Sequence, residues 1–328
     1  MGMHRFAESK EKREMIDLEG KTAFITGGAS GIGLGIAKAC GKAGMKIVIA
    51  DVRRSVIDEA LPFFKKNGWP AVGIELDVTD REAYKKAADE AEAEFDKIHV
   101  LINNAGVEVP FGPIWKSSFK DCDYIIGVNV YGVMNGILTI VPRILAHGEP
   151  GHIVSTASMA GLSVVPGAGL YSATKHAVIG IMETLASDLA GTNVGASAFC
   201  PGPVTTSITP SSIEVRPEAL RDETPTQEPR TRREPPEGMD LSPLEGFVKT
   251  PEEIGERVVR GIRRGDLYIL THLEFRESVR ARGDAIIRAF PDDPYNEKRY
   301  ELMRMLNSPV YNTIFETQTT PEALDWPP

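Results

Sequence analysis

Cysteine is scarce: the 328-residue chain has 3, Cys40, Cys122 and Cys200, scattered and never in a CxxC pair. That excludes a disulfide framework or a cysteine zinc cluster and fits a reducing compartment, the cytoplasm. The 6 histidines show no ligand spacing such as HExxH, so no metal site is expected. Positive charge is in deficit, with 37 Lys and Arg against 46 Asp and Glu for a net −9. Such a surface repels phosphate backbones and anionic lipid, so neither nucleic acid nor a membrane is an expected partner. The first 15 residues are strongly charged and lack the apolar stretch of a signal peptide. The uncharged run 124–142 is broken by Asn129, Asn135 and 3 glycines, and reads as a buried helix and not a membrane span.

What is present is ordinary globular material, 42% hydrophobic and 25% charged, enough for a large core. Apolar runs at 21–26, 46–51, 71–76, 98–103, 151–155, 194–199 and 267–271 read as buried strands. Helix-like stretches lie between them, at 55–67, 80–95, 121–146, 171–189 and 251–264. This alternation predicts an α/β fold, a Rossmann-type doubly wound parallel sheet with both faces covered. Ten of the 23 prolines fall between Pro201 and Pro251, yet helix and strand resume afterwards. Residues 207–250 therefore read as a Pro-rich insert within a single domain over 19–272. Residues 1–18 read as a polar extension, and 273–328 as a C-terminal helical extension with helices over 275–290 and 297–306.

The first strand runs into Thr26-Gly27-Gly28-Ala29-Ser30-Gly31-Ile32-Gly33 and then a helix. Glycines at this spacing let the backbone approach a phosphate, and the helix start offers free N–H groups and a positive dipole end. Asp51 ends the second strand 18 residues beyond Gly33. A carboxylate there can accept both ribose hydroxyls of NAD and would repel the 2′-phosphate of NADP. Arg53 and Arg54 beside it could instead bind that phosphate; the balance favours NAD. A second constellation is Tyr171-Ser172-Ala173-Thr174-Lys175, which puts phenol and ammonium on one helix face. The cation is expected to lower the phenol pKa toward working pH, as a general acid/base needs. Ser158 stands 13 residues upstream, just past a strand, at the sheet edge where open α/β folds bind ligands.

Several ordered motifs then agree: TGGASGIG at 26–33, Asp51, LDV with Asp77 and Val78, NNAG at 103–106, Asn129, STAS ending at Ser158, YSATK at 171–175 and PGPVTT at 201–206. Over roughly residues 20–206 the chain resembles the classical short-chain dehydrogenases/reductases. The resemblance implies that Tyr171 exchanges the hydroxyl proton, that Lys175 lowers its pKa and holds the nicotinamide ribose, that Ser158 polarises the carbonyl, and that Asn129 holds a water of a proton relay. It further implies that Gly27, Ser30, Gly31, Ile32 and Gly33 hold the pyrophosphate and adenosine ribose. Asp77 and Val78 would flank the adenine, with Asn104, Ala105 and Gly106 along the adenosine side. Pro201, Gly202, Val204 and Thr206 would fix the carboxamide. Ala157 stands where the family commonly has a first serine, which leaves Ser158 as the working hydroxyl.

More loosely, DREAYKKAADE, DYIIGVNVYGVMNGI and LYILTHLEFRESV are similar to bacterial dehydrogenases that oxidise the benzylic Cα alcohol of lignin-type β-aryl ethers. The expected activity is thus NAD-dependent interconversion of a secondary alcohol and a ketone, on a small and largely apolar substrate. The alternative is a catalytically idle dinucleotide-binding sensor or scaffold. Phe111, Trp115, Met159 and Val165 follow strands and could line the substrate pocket, or simply pack. The insert reads as a lid or as a subunit contact, and its Arg230–Arg233 cluster as a solvated charge run or a seat for an anion. By family habit, helices 121–146 and 171–189 pair across a two-fold axis, giving a homodimer or homotetramer.

Overall fold

Strands rich in Ile, Val, Phe and Ala with few polar interruptions suit burial on both faces, and that is where they lie. The computed structural model describes residues 16–222, 245–294, 296–306 and 310–311. Its strands are β1 (Thr22–Thr26), β2 (Lys46–Asp51), β3 (Ala71–Glu75), β4 (Val100–Asn103), β5 (Gly151–Thr156), β6 (Val194–Cys200) and β7 (Tyr268–Leu270). They form one sheet in the order β3-β2-β1-β4-β5-β6-β7, every pair parallel. The chain runs outward from β1 to β3 and then returns to place β4 beside β1. The reversal opens a crevice at the carboxyl ends of β1 and β4, the usual ligand position in such sheets.

Ten helices pack around the sheet: α1 (Gly31–Lys42), α2 (Arg54–Lys66), α3 (Arg81–Phe95), α4 (Phe119–Ile126), α5 (Gly132–His147), α6 (Gly169–Asp188), α7 (Ile208–Glu214), α8 (Pro251–Arg264), α9 (Arg276–Arg288) and α10 (Glu297–Leu306). Alternate strand residues face opposite ways. Phe24, Val48, Leu101 and Ile153 meet Tyr84 of α3, Ile140 of α5 and Val178 of α6. Ile25, Ile49, Ile102 and Phe199 meet Ile36 of α1, Phe64 of α2 and Val258 of α8. The expected helix over 121–146 is an apolar rod from Phe119 to His147, long enough to cross a membrane, but 56% of its most apolar window is buried in the domain. It is broken by a π-helical turn, Gly127–Tyr131, that carries Asn129.

Residues 1–15 of the expected extension lie outside the described residues, whereas Leu18 is fully buried and the Ile16 N–H donates to the Arg263 carbonyl at 3.0 Å. The expected insert 207–250 is partly ordered. It opens with α7 and a 3-10 turn, Glu218–Leu220, and its end returns so that Lys249 bridges to Val204. A proline in the first turn of α7, Pro210, removes an N–H that has no helical partner anyway. Arg230–Arg233 lie outside the described residues. The C-terminal extension forms α9 and α10, and α9 buries none of its residues.

Candidate active site

The glycine turn is a built cradle. Gly27 has φ 60° and Gly31 φ 49°, the left-handed region that favours glycine. A Cβ on Gly33 would stand 2.0 Å from the Gly27 carbonyl oxygen, so the helix start can press against the turn only without a side chain. Thr26 locks the turn to the next loop: its Oγ1 accepts from the Asn104 and Ala105 N–H groups at 3.0 and 3.1 Å. The Asn104 amide donates to the Thr26 and Gly27 carbonyls at 3.1 and 3.2 Å. Sequence reasoning did not single out Thr26, although its place just ahead of the glycines was the available signal.

Asp51 is buried at the end of β2, 5% exposed, and lines a cavity of about 410 Å³. Arg53 folds over it. Its Nε donates to Asp51 Oδ1 at 3.4 Å, its Nη2 to Ser30 Oγ at 3.0 Å, and its Nη1 to Ser211 Oγ and Glu214 Oε2 at 3.2 and 3.3 Å. Arg54 turns the other way and pairs with Asp58 at 2.9 Å on the exposed face of α2. Asp77 and Val78 line the same cavity, with Asp77 accepting from the Thr79 N–H and hydroxyl at 2.9 and 2.8 Å.

At the other end of the cavity stand Tyr171 and Lys175, from the start of α6. Lys175 Nζ donates to the Thr156 carbonyl at 2.8 Å and lies 5.5 Å from the Tyr171 ring centre. Asn129 sits 1% exposed behind them. The π turn aims it inward, where its amide donates to the Val107 carbonyl at 2.9 Å and its Oδ1 accepts from the Val107 N–H at 2.8 Å. Ser158 caps a 3-10 turn, its Oγ accepting from the Ala160 N–H at 3.1 Å, and its hydroxyl hydrogen-bonds Tyr171. Burial pushes the Tyr171 phenol up to about 12, against the pull of the Ser158 bond. Burial likewise pushes Lys175 down to about 8. The lowering of Tyr171 by Lys175 that the helix spacing suggests is outweighed here by desolvation.

Of the expected cofactor residues, Gly27, Ser30, Gly31, Ile32, Asp51, Asp77, Val78, Asn104, Ala105, Gly106, Tyr171, Lys175, Pro201 and Thr206 line the one cavity. Gly33, Gly202 and Val204 stand behind it. Gly202 is propped from below: its N–H donates to Thr271 Oγ1 at 3.0 Å, Thr271 Oγ1 meets His272 Nδ1 at 2.6 Å, and His272 Nε2 meets the Phe247 carbonyl at 2.7 Å. Neither Thr271 nor His272 carries a sequence signal for this role. Of the residues considered for an apolar pocket, Met159 is buried in the core and Trp115 is 82% exposed. Phe111 alone borders a small cleft beside Tyr171, together with Val109, Gly167 and Leu170.

Helix α7 closes the cavity from above. It holds Arg53 through Ser211 and Glu214 at the adenosine end. At the Tyr171 end the Glu108 N–H donates to Ser212 Oγ at 3.0 Å, Thr209 Oγ1 donates to Glu108 Oε1, and the Tyr124 hydroxyl donates to the Ser212 carbonyl at 2.7 Å. Beyond it, Arg216 pairs with buried Asp121 at 2.7 Å and stacks over Tyr124. The cavity thus joins a phosphate cradle, a buried carboxylate, and a serine, tyrosine and lysine under one cover. A dinucleotide fits that set: the cradle admits no Cβ at Gly33, and the carboxylate stands where a ribose would end.

A family model described as short chain dehydrogenase matches residues 21–216. The C alpha-dehydrogenase of a Sphingobium species is 39% identical over 273 residues, 83% of this chain and 87% of that protein. A diacetyl reductase, (S)-acetoin forming, from Staphylococcus epidermidis is 34% identical over 182 residues, 56% of this chain and 70% of its own. Among solved structures, a short chain dehydrogenase/reductase from Burkholderia phymatum in complex with NAD gives a TM-score of 0.74 at 37% identity, over 86% of this chain and 100% of that one.

Proposed function

The chain belongs to the short-chain dehydrogenase family and is an alcohol or ketone oxidoreductase with a nicotinamide dinucleotide cofactor; on that premise we propose NAD-dependent oxidation of a secondary alcohol to a ketone, or the reverse, with the benzylic alcohol of a lignin-type aryl ether as substrate. The observation that carries the reading is the joining of Ser158, Tyr171 and Lys175, backed by Asn129, to the glycine cradle in one cavity.

The cofactor, when bound, accepts the hydride of the alcohol carbon or returns it to the ketone. Gly27, Ser30, Gly31 and Ile32 would hold its pyrophosphate, and Asp51 its adenosine ribose. Ser158 donates to the substrate oxygen while Tyr171 takes the hydroxyl proton. Lys175, kept near neutral pH by burial, returns a proton to Tyr171 more readily than an exposed lysine. Asn129, fixed on both sides by Val107, offers the next stop toward solvent. NAD is favoured over NADP because Arg53 is already engaged by Asp51, Ser30, Ser211 and Glu214 and because a 2′-phosphate would meet the Asp51 charge. The benzylic substrate rests on the likeness to the Sphingobium protein over most of both chains. An idle sensor needs the cradle and Asp51 but not an ordered tetrad.

Exposed Tyr131, Leu138 and Leu145 along the rod from Gly127 to His147 support a homodimer or homotetramer, which sedimentation at working concentration tests. Three free cysteines, two of them buried, suit the cytoplasm. The activity test is NADH formation from a racemic aryl-glycerol β-aryl ether, with Tyr171→Phe beside wild type. Turnover lost in the variant supports the reading, and conversion that stops near half adds selectivity for one enantiomer. Wild-type protein that binds NADH tightly but leaves the ether untouched removes the substrate assignment.

A further inference from the structure

One carboxylate beside the reacting tyrosine has no part in the tetrad. Val107 lines the large cavity, Val109 lines the small cleft, and Tyr171 lines both. Glu108 therefore stands on the wall between the two spaces that meet at the phenol. It is half-buried, and its charge is felt at Tyr171, where it opposes ionisation of the phenol. Its position is fixed twice by α7, with its N–H on Ser212 Oγ and its Oε1 accepting from Thr209. The cations nearby are committed elsewhere: Arg53 to Asp51 and Glu214, and Arg216 to Asp121 and Asp222. Among the described residues Glu108 makes no ion pair, and its second carboxylate oxygen has no partner. A surface carboxylate would be hydrated and indifferent. This one sits under the cover, beside the place where an alcohol must lie to reach Tyr171 and Ser158.

We propose that Glu108 determines substrate specificity: its free oxygen accepts a hydrogen bond from a second hydroxyl of the substrate, close to the alcohol being oxidised, and its charge turns away substrates that carry a carboxylate. The preferred substrates are then neutral diols, and hydroxy acids are excluded. The assignment rests on the reading of Tyr171 and Ser158 as the alcohol site. A carboxylate acceptor held in place makes a stronger bond than a neutral one, and left without a partner it penalises any substrate that covers it.

The test uses a matched series of phenyl carbinols that share one secondary alcohol and end in a methyl, a hydroxymethyl or a carboxylate group. kcat/KM is measured with NAD for the full chain, Glu108→Gln and Glu108→Leu. Wild type should favour the hydroxymethyl compound over the methyl compound by about 10- to 100-fold, and the carboxylate should be the poorest of the three. Glu108→Leu should cut the hydroxymethyl-to-methyl ratio by about tenfold or more. Glu108→Gln should raise the carboxylate-to-methyl ratio by a similar factor while keeping most of the diol preference. Ratios within one variant cancel any general loss of folding or of cofactor binding. Turnover of the methyl compound with both ratios unchanged in both variants overturns the role of Glu108 alone. Absence of turnover on all three by wild-type protein that binds NADH overturns the alcohol-site reading, and the proposal with it.

Discussion

Replacing Asp51 by serine should convert the preference for NAD into a preference for NADP, and the structure allows the size of the change to be worked out. Asp51 is 5% exposed at the cavity wall, so hydrogen bonds to its carboxylate are weakly screened. Loss of a charged acceptor for the ribose hydroxyls costs about 2 kcal/mol, or roughly 30-fold in NAD affinity. For NADP the same substitution removes a repulsion. Two unit charges about 4 Å apart at an effective dielectric of about 20 repel by about 4 kcal/mol; half of that, about 2 kcal/mol, remains after discounting for water at the cavity mouth. Asp51→Ser also frees Arg53 from its 3.4 Å contact while Ser30, Ser211 and Glu214 still hold it in place, so a guanidinium waits where the phosphate arrives. Together the two effects shift the NAD-to-NADP ratio of kcat/KM by about a thousandfold. The assay is initial rate against each cofactor at fixed alcohol, with fluorescence titration of NADH and NADPH as the binding check. A ratio that moves by less than about tenfold would mean that Asp51 does not meet the ribose, and the assignment of NAD would fall with it.

The buried pair at the reacting end makes stability depend on alkaline pH with opposite signs. Between about 8 and lysine's ordinary 10.5 the unfolded chain binds more protons than the folded one at Lys175, so this group makes stability rise with pH by up to about 3 kcal/mol. Between tyrosine's ordinary 10.0 and about 12 the folded chain holds the Tyr171 proton that the unfolded one loses, and stability falls. Urea denaturation across this range should show the rise flattened in Lys175→Met; an identical slope in both proteins would refute the burial argument. Thr271→Val should leave the buried Gly202 N–H without its acceptor, raise KM for the cofactor by about tenfold and lower the melting temperature, while Thr271→Ser restores both. Calorimetry and NADH titration check this, and unchanged cofactor binding in the valine variant would show that the loop does not need the prop.

What the sequence made legible was whatever spacing along one chain encodes. The glycines of the cradle, Asp51 at a strand end, and Tyr171 with Lys175 one helical turn apart all declare themselves locally, and the seven strands follow from unbroken apolar runs. The register of motifs then located Ser158 and Asn129. What stayed hidden depends on contacts between distant segments. Helix α7 has seven residues in a proline-rich stretch, too short for a helical period to show, and it is held by Arg53, Glu108 and Tyr124 from elsewhere in the chain. The prop beneath Gly202 joins it to residues 69 positions away. The pKa of Tyr171 was misjudged for a related reason: helix spacing shows the cation, but desolvation comes from everything packed around the ring. Met159 likewise follows a strand as a pocket residue would, yet the space it enters is filled by α6.

Helix α7 touches both ends of one cavity, gripping Arg53 beside Asp51 and Glu108 beside Tyr171. Cofactor and alcohol therefore share a single cover although they need share no atom. A ligand that favours the seated helix at one end must raise the affinity at the other by the same factor, because the two bindings draw on one equilibrium. Dinucleotide and alcohol are then thermodynamically reciprocal: each measured in the presence of the other should bind more tightly, and departure of either loosens the one that remains.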